Sequence, residues 1–223
     1  MMIVAVALFA MASAAQAVQT QAYSATQFVG NQSFGGSLGL DFEVNSPIVI
    51  SDLGVFDHNQ DGISTNGSLI AELWSRNENG TPGAFGDDTG IAVLATLSFD
   101  NASPGTLTNG FRLKPLGAPL LISPGSYTMV AYGFDSPDDL YNSNGGANTP
   151  TTNDGGGLIT FEGVSRFNLT AGLFPTTPDG GPAARYHAGT FVFAAPAVPE
   201  PVTVGLFVMS GLALLARRRR VAA

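Results

Sequence analysis

The stretch from Asp57 to Gly62, "DHNQDG", has the residue spacing of calcium-binding loops. The side-chain oxygens of Asp57, Asn59 and Asp61 occur at every second position, and Gly62 permits the sharp turn that would bring them onto a hard cation. The twelfth position of such a loop, where an EF-hand has a bidentate Glu, is Ser68. The pattern predicts either a simple Ca²⁺ site between strands or a turn in which Asp and Asn side chains hydrogen-bond their own backbone.

Two further patterns contain residue types that hydrolases use. Residues 35–39 read G-x-S-x-G, but a nucleophile elbow needs a helix after the serine, and here a strand pattern follows. Asp41 and Glu43 could flank a glycosidic bond, yet strand alternation places both opposite Leu40 and Phe42, on a face expected to be solvated. We therefore expect no catalytic residue, and a secreted glycoside hydrolase or other hydrolase is an alternative.

The elements that must position these residues are short strands. Apolar residues alternate with Gly39, Asp41 and Glu43 at 38–44, and every second residue from Ile91 to Phe99 forms another apolar face. Further strand patterns occur at 68–74, 126–134 and 189–195. Each is bounded by Gly, Pro, Asn or Asp, and no apolar stripe of helical period crosses the body. The sequence predicts an all-β fold, an antiparallel β-sandwich of jelly-roll-like type, interrupted by a long polar loop at 135–157. Trp74 and Tyr132 lie within strand patterns and are expected to pack rather than stack on sugars.

Charge and cysteine content exclude several functions. Residues 18–196 contain 16 acids against five bases, a formal net charge of −11, which repels phosphate backbones and argues against nucleic-acid binding. The chain has no cysteine, so a disulfide framework, a thiolate metal site and a cysteine nucleophile are excluded.

The first 17 residues have the character of a secretory signal peptide. An apolar run from residue 3 to residue 12 is followed by small residues that end in Ala15-Gln16-Ala17, an A-x-A cleavage site. No Lys or Arg precedes the apolar run, which departs from the usual pattern. The alternative is a buried N-terminal helix or strand.

The C-terminus combines three features in order. Pro199-Glu200-Pro201 is followed by fifteen uncharged residues, 202–216, and then by four cationic residues, Arg217, Arg218, Arg219 and Arg220. As a helix the uncharged run would be about 22 Å long, short of the roughly 30 Å hydrocarbon core unless its flanks contribute. Because positive residues stay cytoplasmic, the body is expected on the opposite side of the membrane.

This C-terminal arrangement resembles the PEP-CTERM sorting signal. The resemblance implies processing at Pro199, Glu200 and Pro201 by an exosortase, an intramembrane transpeptidase. The body also resembles, over about residues 25–195, a β-sandwich domain of unknown function common in PEP-CTERM proteins, through "ISDLGVFDHNQDG", "IAELW", "ISPGSYTMVAYG" and "RYHAGTFVF".

Together these features predict a signal peptide at 1–17, a β-sandwich domain at 18–196 and a sorting signal at 197–223. We expect an exported, initially inner-membrane-anchored protein with a structural or adhesive role at the cell surface or in the extracellular matrix. The family resemblance implies association with exopolysaccharide, and a calcium-dependent carbohydrate-binding module is an alternative. No cofactor is required; Ca²⁺ is the candidate ion at Asp57, Asn59 and Asp61.

Overall fold

The computed structural model describes residues 18–64, 67–79, 84–135, 139–142 and 149–197. Within these ranges it contains thirteen strands, one 3-10 turn at His58–Gln60 and no α-helix, which confirms the predicted all-β class. The strands are β1 Thr20–Gln21, β2 Tyr23–Ser24, β3 Ser37–Val44, β4 Ile48–Phe56, β5 Leu69–Asn77, β6 Thr89–Phe99, β7 Thr106–Thr108, β8 Phe111–Ile122, β9 Gly125–Tyr132, β10 Thr151–Thr152, β11 Ile159–Asn168, β12 Thr177–Pro178 and β13 Gly189–Ala194.

The strands form two main antiparallel sheets and a small pair. One sheet has five strands in the order β1-β13-β4-β8-β7, and the other has six in the order β12-β11-β3-β9-β5-β6. β10 pairs with β2 inside the loop predicted at 135–157. The chain passes repeatedly from one sheet to the other, for example from β3 to β4 and from β8 to β9. Most neighbouring strands are therefore distant in sequence.

The core lies between the two sheets, and alternation decides which residues enter it. On β3 the even-numbered residues are buried as predicted, and Phe42 stacks on Phe191 of β13 with ring centroids 4.6 Å apart. Gly189 of β13 lies so close to β9 that a Cβ there would be 3.0 Å from the Met129 side chain. Tight approach of the sheets excludes water from the apolar faces, which is the main stabilising contribution to such a fold.

Strand β6 departs from the predicted alternation. It is an edge strand, and its pairing with β5 shifts register between Leu73 and Trp74 and again between Ser75 and Arg76. Beyond these shifts Ile91 and Val93 are exposed, at 65% and 42% of their surface. Bulges of this kind twist an edge strand and discourage pairing with another chain. The apolar run at 91–99 therefore contributes only its second half to the core.

No helix with the length and apolarity of a membrane span occurs among the described residues. The predicted span at 202–216 and the predicted signal peptide lie outside them.

Candidate functional site

The outer face of the six-stranded sheet, which points away from the core, contains a buried network of charged side chains. Arg76 on β5 and Arg166 on β11 are 4% and 0% exposed, and Asp41 on β3 between them is 1% exposed. The prediction that Asp41 lies on a solvated face is therefore wrong. Alternation correctly turns Asp41 away from the core, but other parts of the chain cover it.

Arg166 connects the sheet to the segment that precedes β6. Its Nε donates a hydrogen bond to Asp41, its Nη2 to Asp88 and its Nη1 to the carbonyl oxygen of Phe85. Thr128 of β9 donates a further hydrogen bond to Asp41, at 2.7 Å. Asp41 is thus held from both neighbouring strands, by Thr128 of β9 and by Arg166 of β11, which is 125 residues away in sequence.

Arg76 lies among carboxylates from four segments of the chain. Its two Nη atoms contact Asp88 at 2.8 Å, Glu43 at 3.0 Å, Glu78 at 3.1 Å and Glu162 at 2.5 Å, and its Nε lies 3.8 Å from Asp41. In total, two guanidinium groups serve five carboxylates. The network therefore carries excess negative charge when every acid is ionised.

Two glycines allow the 169–176 segment to cover this face. A Cβ at position 39 would lie 2.6 Å from Pro175, and a Cβ at position 90 would lie 2.6 Å from the ring of Phe174. Both distances are shorter than real Cβ atoms accept. Glycine at these two sheet positions lets Pro175 and Phe174 lie directly on the strands and exclude solvent next to the charged residues.

Burial and shared charge shift the protonation of these acids. Burial raises the pKa of Asp41, and Arg166 and Arg76 oppose that rise. The pKa of Glu162 rises to about 7, first because of burial and despite the opposing effect of Arg76. Nearby carboxylates, including Asp41, add to the rise because they disfavour a further negative charge. The pKa of Glu162 thus lies near neutral pH, well above its ordinary value of 4.5.

Three acids of the network could also hold a metal ion. Glu43, Glu78 and Glu162 each place a carboxylate oxygen within 4.8 Å of the other two, and all three are partly accessible. Hard cations such as Ca²⁺ prefer oxygen ligands of this type. The Nη atoms of Arg76 already contact one oxygen of each of these carboxylates, so a cation would have to compete with the guanidinium or bind the remaining oxygens.

We expect the Glu162→Gln substitution to make the protein less sensitive to alkaline pH. Because the folded pKa of about 7 lies above the ordinary value of 4.5, the folded state binds more protons than the unfolded state between these pH values. This carboxyl's contribution to stability therefore falls as pH rises from about 4.5 to 7. The unfolding free energy of Glu162→Gln minus that of wild type should be on the order of 1 kcal/mol more positive at pH 8 than at pH 5.

Urea unfolding at the two pH values measures this difference. The exposed Asp135→Asn is the control, because it removes one carboxyl outside the network. A wild-type minus variant difference that stays constant with pH, or that changes in the opposite sense, would contradict the protonation of Glu162.

The structure places the predicted calcium loop at the 3-10 turn. Asp57 is fully buried, where its Oδ2 accepts a hydrogen bond from Arg112 Nε at 2.5 Å and its Oδ1 accepts one from the Gly62 N–H at 3.2 Å. Asp61 is exposed, and Asn59 adopts a left-handed backbone conformation with φ of 61°. The Gly62 contact agrees with the turn interpretation. The calcium site stays a prediction, and a cation at Asp57 would have to compete with Arg112.

The serine of the G-x-S-x-G pattern and the two aromatic residues noted in the sequence form hydrogen bonds within the domain. Ser37 begins β3 with its Oγ donating to the Thr170 carbonyl at 3.3 Å. Trp74 Nε1 and the Tyr132 hydroxyl both donate to the largely buried Glu72, at 2.8 and 3.0 Å. Burial and Glu72 raise the pKa of Tyr132 to about 12. The Trp74 ring also packs against Phe174, with centroids 5.7 Å apart, so both aromatic residues pack as expected from their strand positions.

No pattern in the sequence pointed to Arg76 and Arg166. Four of the five basic residues of the body lie inside strands of the structure, but the strand patterns predicted from the sequence contain none of them. The residues of the predicted sorting motif, Pro199, Glu200 and Pro201, lie outside the described residues, as do Ala15, Ala17 and Arg217 to Arg220.

The chain matches no protein-family model, and no curated protein matches it.

Proposed function

We propose that the chain is an exported precursor that is held at the membrane by residues 202–216 and processed by an exosortase-type transpeptidase at Pro199, Glu200 and Pro201. The mature β domain then has a structural or adhesive role at the cell surface or in the extracellular matrix. We further propose that the sandwich is jelly-roll-like, since β3 pairs with β9 and β11 rather than with its sequence neighbour β4.

The position of the last strand supports this proposal. β13 ends at Ala194, five residues before Pro199, and every residue of the described core lies between Ala22 and Ala194. β13 pairs with β1 on one side and β4 on the other. Processing beyond Ala194 would therefore leave the core and the strand pairing of the domain unchanged.

The hydrolase alternative requires two accessible carboxylates, and the described acids that are most buried are already bound. Asp41 and Asp88 both contact Arg166, and Asp57 contacts Arg112. The oxygens that contact these guanidinium groups are not free to act on a substrate. This arrangement favours the structural role for these acids.

Immunoblots of fractionated cells test the proposal. In cells that naturally produce the chain, we expect wild-type protein to appear as a shortened form at the surface or in the medium. Removal of Arg217, Arg218, Arg219 and Arg220 should abolish that form and leave full-length precursor, because the cationic cluster fixes the orientation of the span. Replacement of the four arginines by lysine keeps the charge and should keep processing.

Full-length protein in the cytosol for both wild type and the deletion would refute the proposal. A shortened surface form in both would show that the arginine cluster has no part in sorting.

A further inference from the structure

A groove of about 540 Å³ crosses the outer face of the five-stranded sheet, on the opposite side of the domain from the charged network. Each of the five strands contributes to its lining, either directly or through a residue next to it. The volume lies within the range of small-molecule sites. Because strands rather than loops form the floor, the positions of the lining side chains are fixed by the sheet register.

One end of the groove is closed by contacts between the two edges of the sheet. Gln21 on β1 and Asn109 after β7 belong to opposite edge strands, which would lie about 19 Å apart in a flat sheet. Nevertheless Asn109 Nδ2 donates to Gln21 Oε1 at 3.0 Å, and the Ala25 N–H donates to the Asn109 carbonyl at 2.9 Å. The sheet therefore curls, and the chain after β1 crosses its outer face.

The rim of the groove offers polar groups with unused hydrogen-bonding capacity. Ser51 donates its one hydroxyl hydrogen to Asp52 Oδ2, 2.6 Å away, and its Oγ also lies 3.1 Å from Gln19 Oε1. Among the described residues, no hydrogen bond engages Asp52 Oδ1, Gln19 Nε2 or Asn109 Oδ1. A carboxylate oxygen, an amide N–H₂ and an amide oxygen are thus available around one groove. Such a set can accept from and donate to hydroxyl groups.

The floor is apolar. Val192 of β13 pairs directly with Asp52 of β4, and Leu113 of β8 lies beside them; both apolar side chains are half-buried. An apolar floor beneath a polar rim fits a ring that has hydroxyl groups at its edge and C–H groups on its face. The lining includes one acid and no basic residue, in a domain of strongly negative charge. An anionic ligand would therefore be repelled.

We propose that this groove binds a neutral oligosaccharide. Asp52 and Asn109 accept hydrogen bonds from sugar hydroxyls, Gln19 donates one, and Val192 and Leu113 contact the C–H face of the ring. Among the described residues that line the groove there is no aromatic side chain of the kind that anchors protein partners. The site is separate from the predicted calcium loop and does not depend on processing at Pro199 to Pro201, so binding should persist in a chelator such as EDTA.

An oligosaccharide array tests the site with the full chain, purified in a detergent that has no sugar head group. The array holds neutral and uronic-acid oligosaccharides of four to six residues, and the strongest binder is then titrated calorimetrically. We expect neutral oligosaccharides to be retained and acidic ones not. Asp52→Ala and Gln19→Ala should each weaken the titrated ligand, Asp52→Ala by at least tenfold.

Asp135→Ala is the matched control, because it removes an exposed acid outside the groove and should leave affinity unchanged. The melting temperatures of all variants are compared, so that a loss of folding is distinguished from a loss of binding. Failure of every neutral oligosaccharide to bind, preferential binding of acidic ones, or binding that is indifferent to Asp52 and Gln19 would each overturn the proposal. None of these results bears on sorting, which the fractionation experiment measures separately.

Discussion

Replacing Arg166 by methionine is expected to lower the unfolding free energy of the domain by about 3–5 kcal/mol. The side chain is completely buried and its guanidinium contacts Asp41, Asp88 and the Phe85 carbonyl. Methionine has a similar length but no charge, so two buried carboxylates would lose their main cation. The remaining cation, Arg76, already serves three further acids.

Urea unfolding of residues 18–197 measures this loss. Arg185→Met is the matched control, because Arg185 pairs with Asp179 at 3.2 Å while both side chains are about one-fifth exposed. Solvent screening limits such a pair, and a loss near 1 kcal/mol or less is expected. Equal losses in the two variants would show that the buried network contributes no more than the partly exposed pair of Arg185 and Asp179.

A double substitution separates loss of packing from loss of charge compensation. In the double variant Arg166→Met/Asp41→Asn, one of the two carboxylates that lose contact with Arg166 is replaced by a neutral amide. We expect this double variant to be more stable than the sum of the two single changes predicts, since the two residues are in direct contact. Strict additivity would attribute the effect of Arg166→Met to packing alone.

Replacing Phe42 by alanine should lower the unfolding free energy by about 3–5 kcal/mol, through a different mechanism. Phe42 is fully buried at the centre of the core, where its ring stacks on Phe191 at 4.6 Å and on Tyr127 at 5.8 Å. Alanine would remove both contacts and leave a cavity between the two sheets. Phe42→Leu keeps much of the volume and should lose distinctly less.

The same urea experiment tests this change, with Leu169→Ala as the control. Leu169 is 80% exposed, so its truncation should change the unfolding free energy by no more than about 0.5 kcal/mol. If Phe42→Ala and Leu169→Ala had similar effects, the two sheets would not be packed on each other through Phe42.

Local patterns in the sequence predicted five of the strands, β3, β5, β6, β9 and β13, and the face of β3 that enters the core. They did not predict β4, β8 and β11, and β6 departs from the predicted alternation. Leu38, Leu40, Phe42 and Val44 are buried as their spacing predicts, because side chains of a strand alternate between the two faces whatever the surrounding fold. The same rule turned Asp41 and Glu43 away from the core. The signal peptide predicted at 1–17 and the sorting signal predicted at 197–223 rest on the sequence alone and stay predictions.

Only the tertiary structure decided which residues on the outward faces of the sheets are buried and which line a groove. Asp41 is buried because Arg166, 125 residues away, and the segments around Phe85 and Pro175 come together over it. In the same way, the groove at Asp52 exists because the edges of the five-stranded sheet meet through Gln21 and Asn109, 88 residues apart. Alternation is a property of neighbouring residues, whereas covering or curling an outer face depends on contacts between distant ones. No local pattern encodes those contacts.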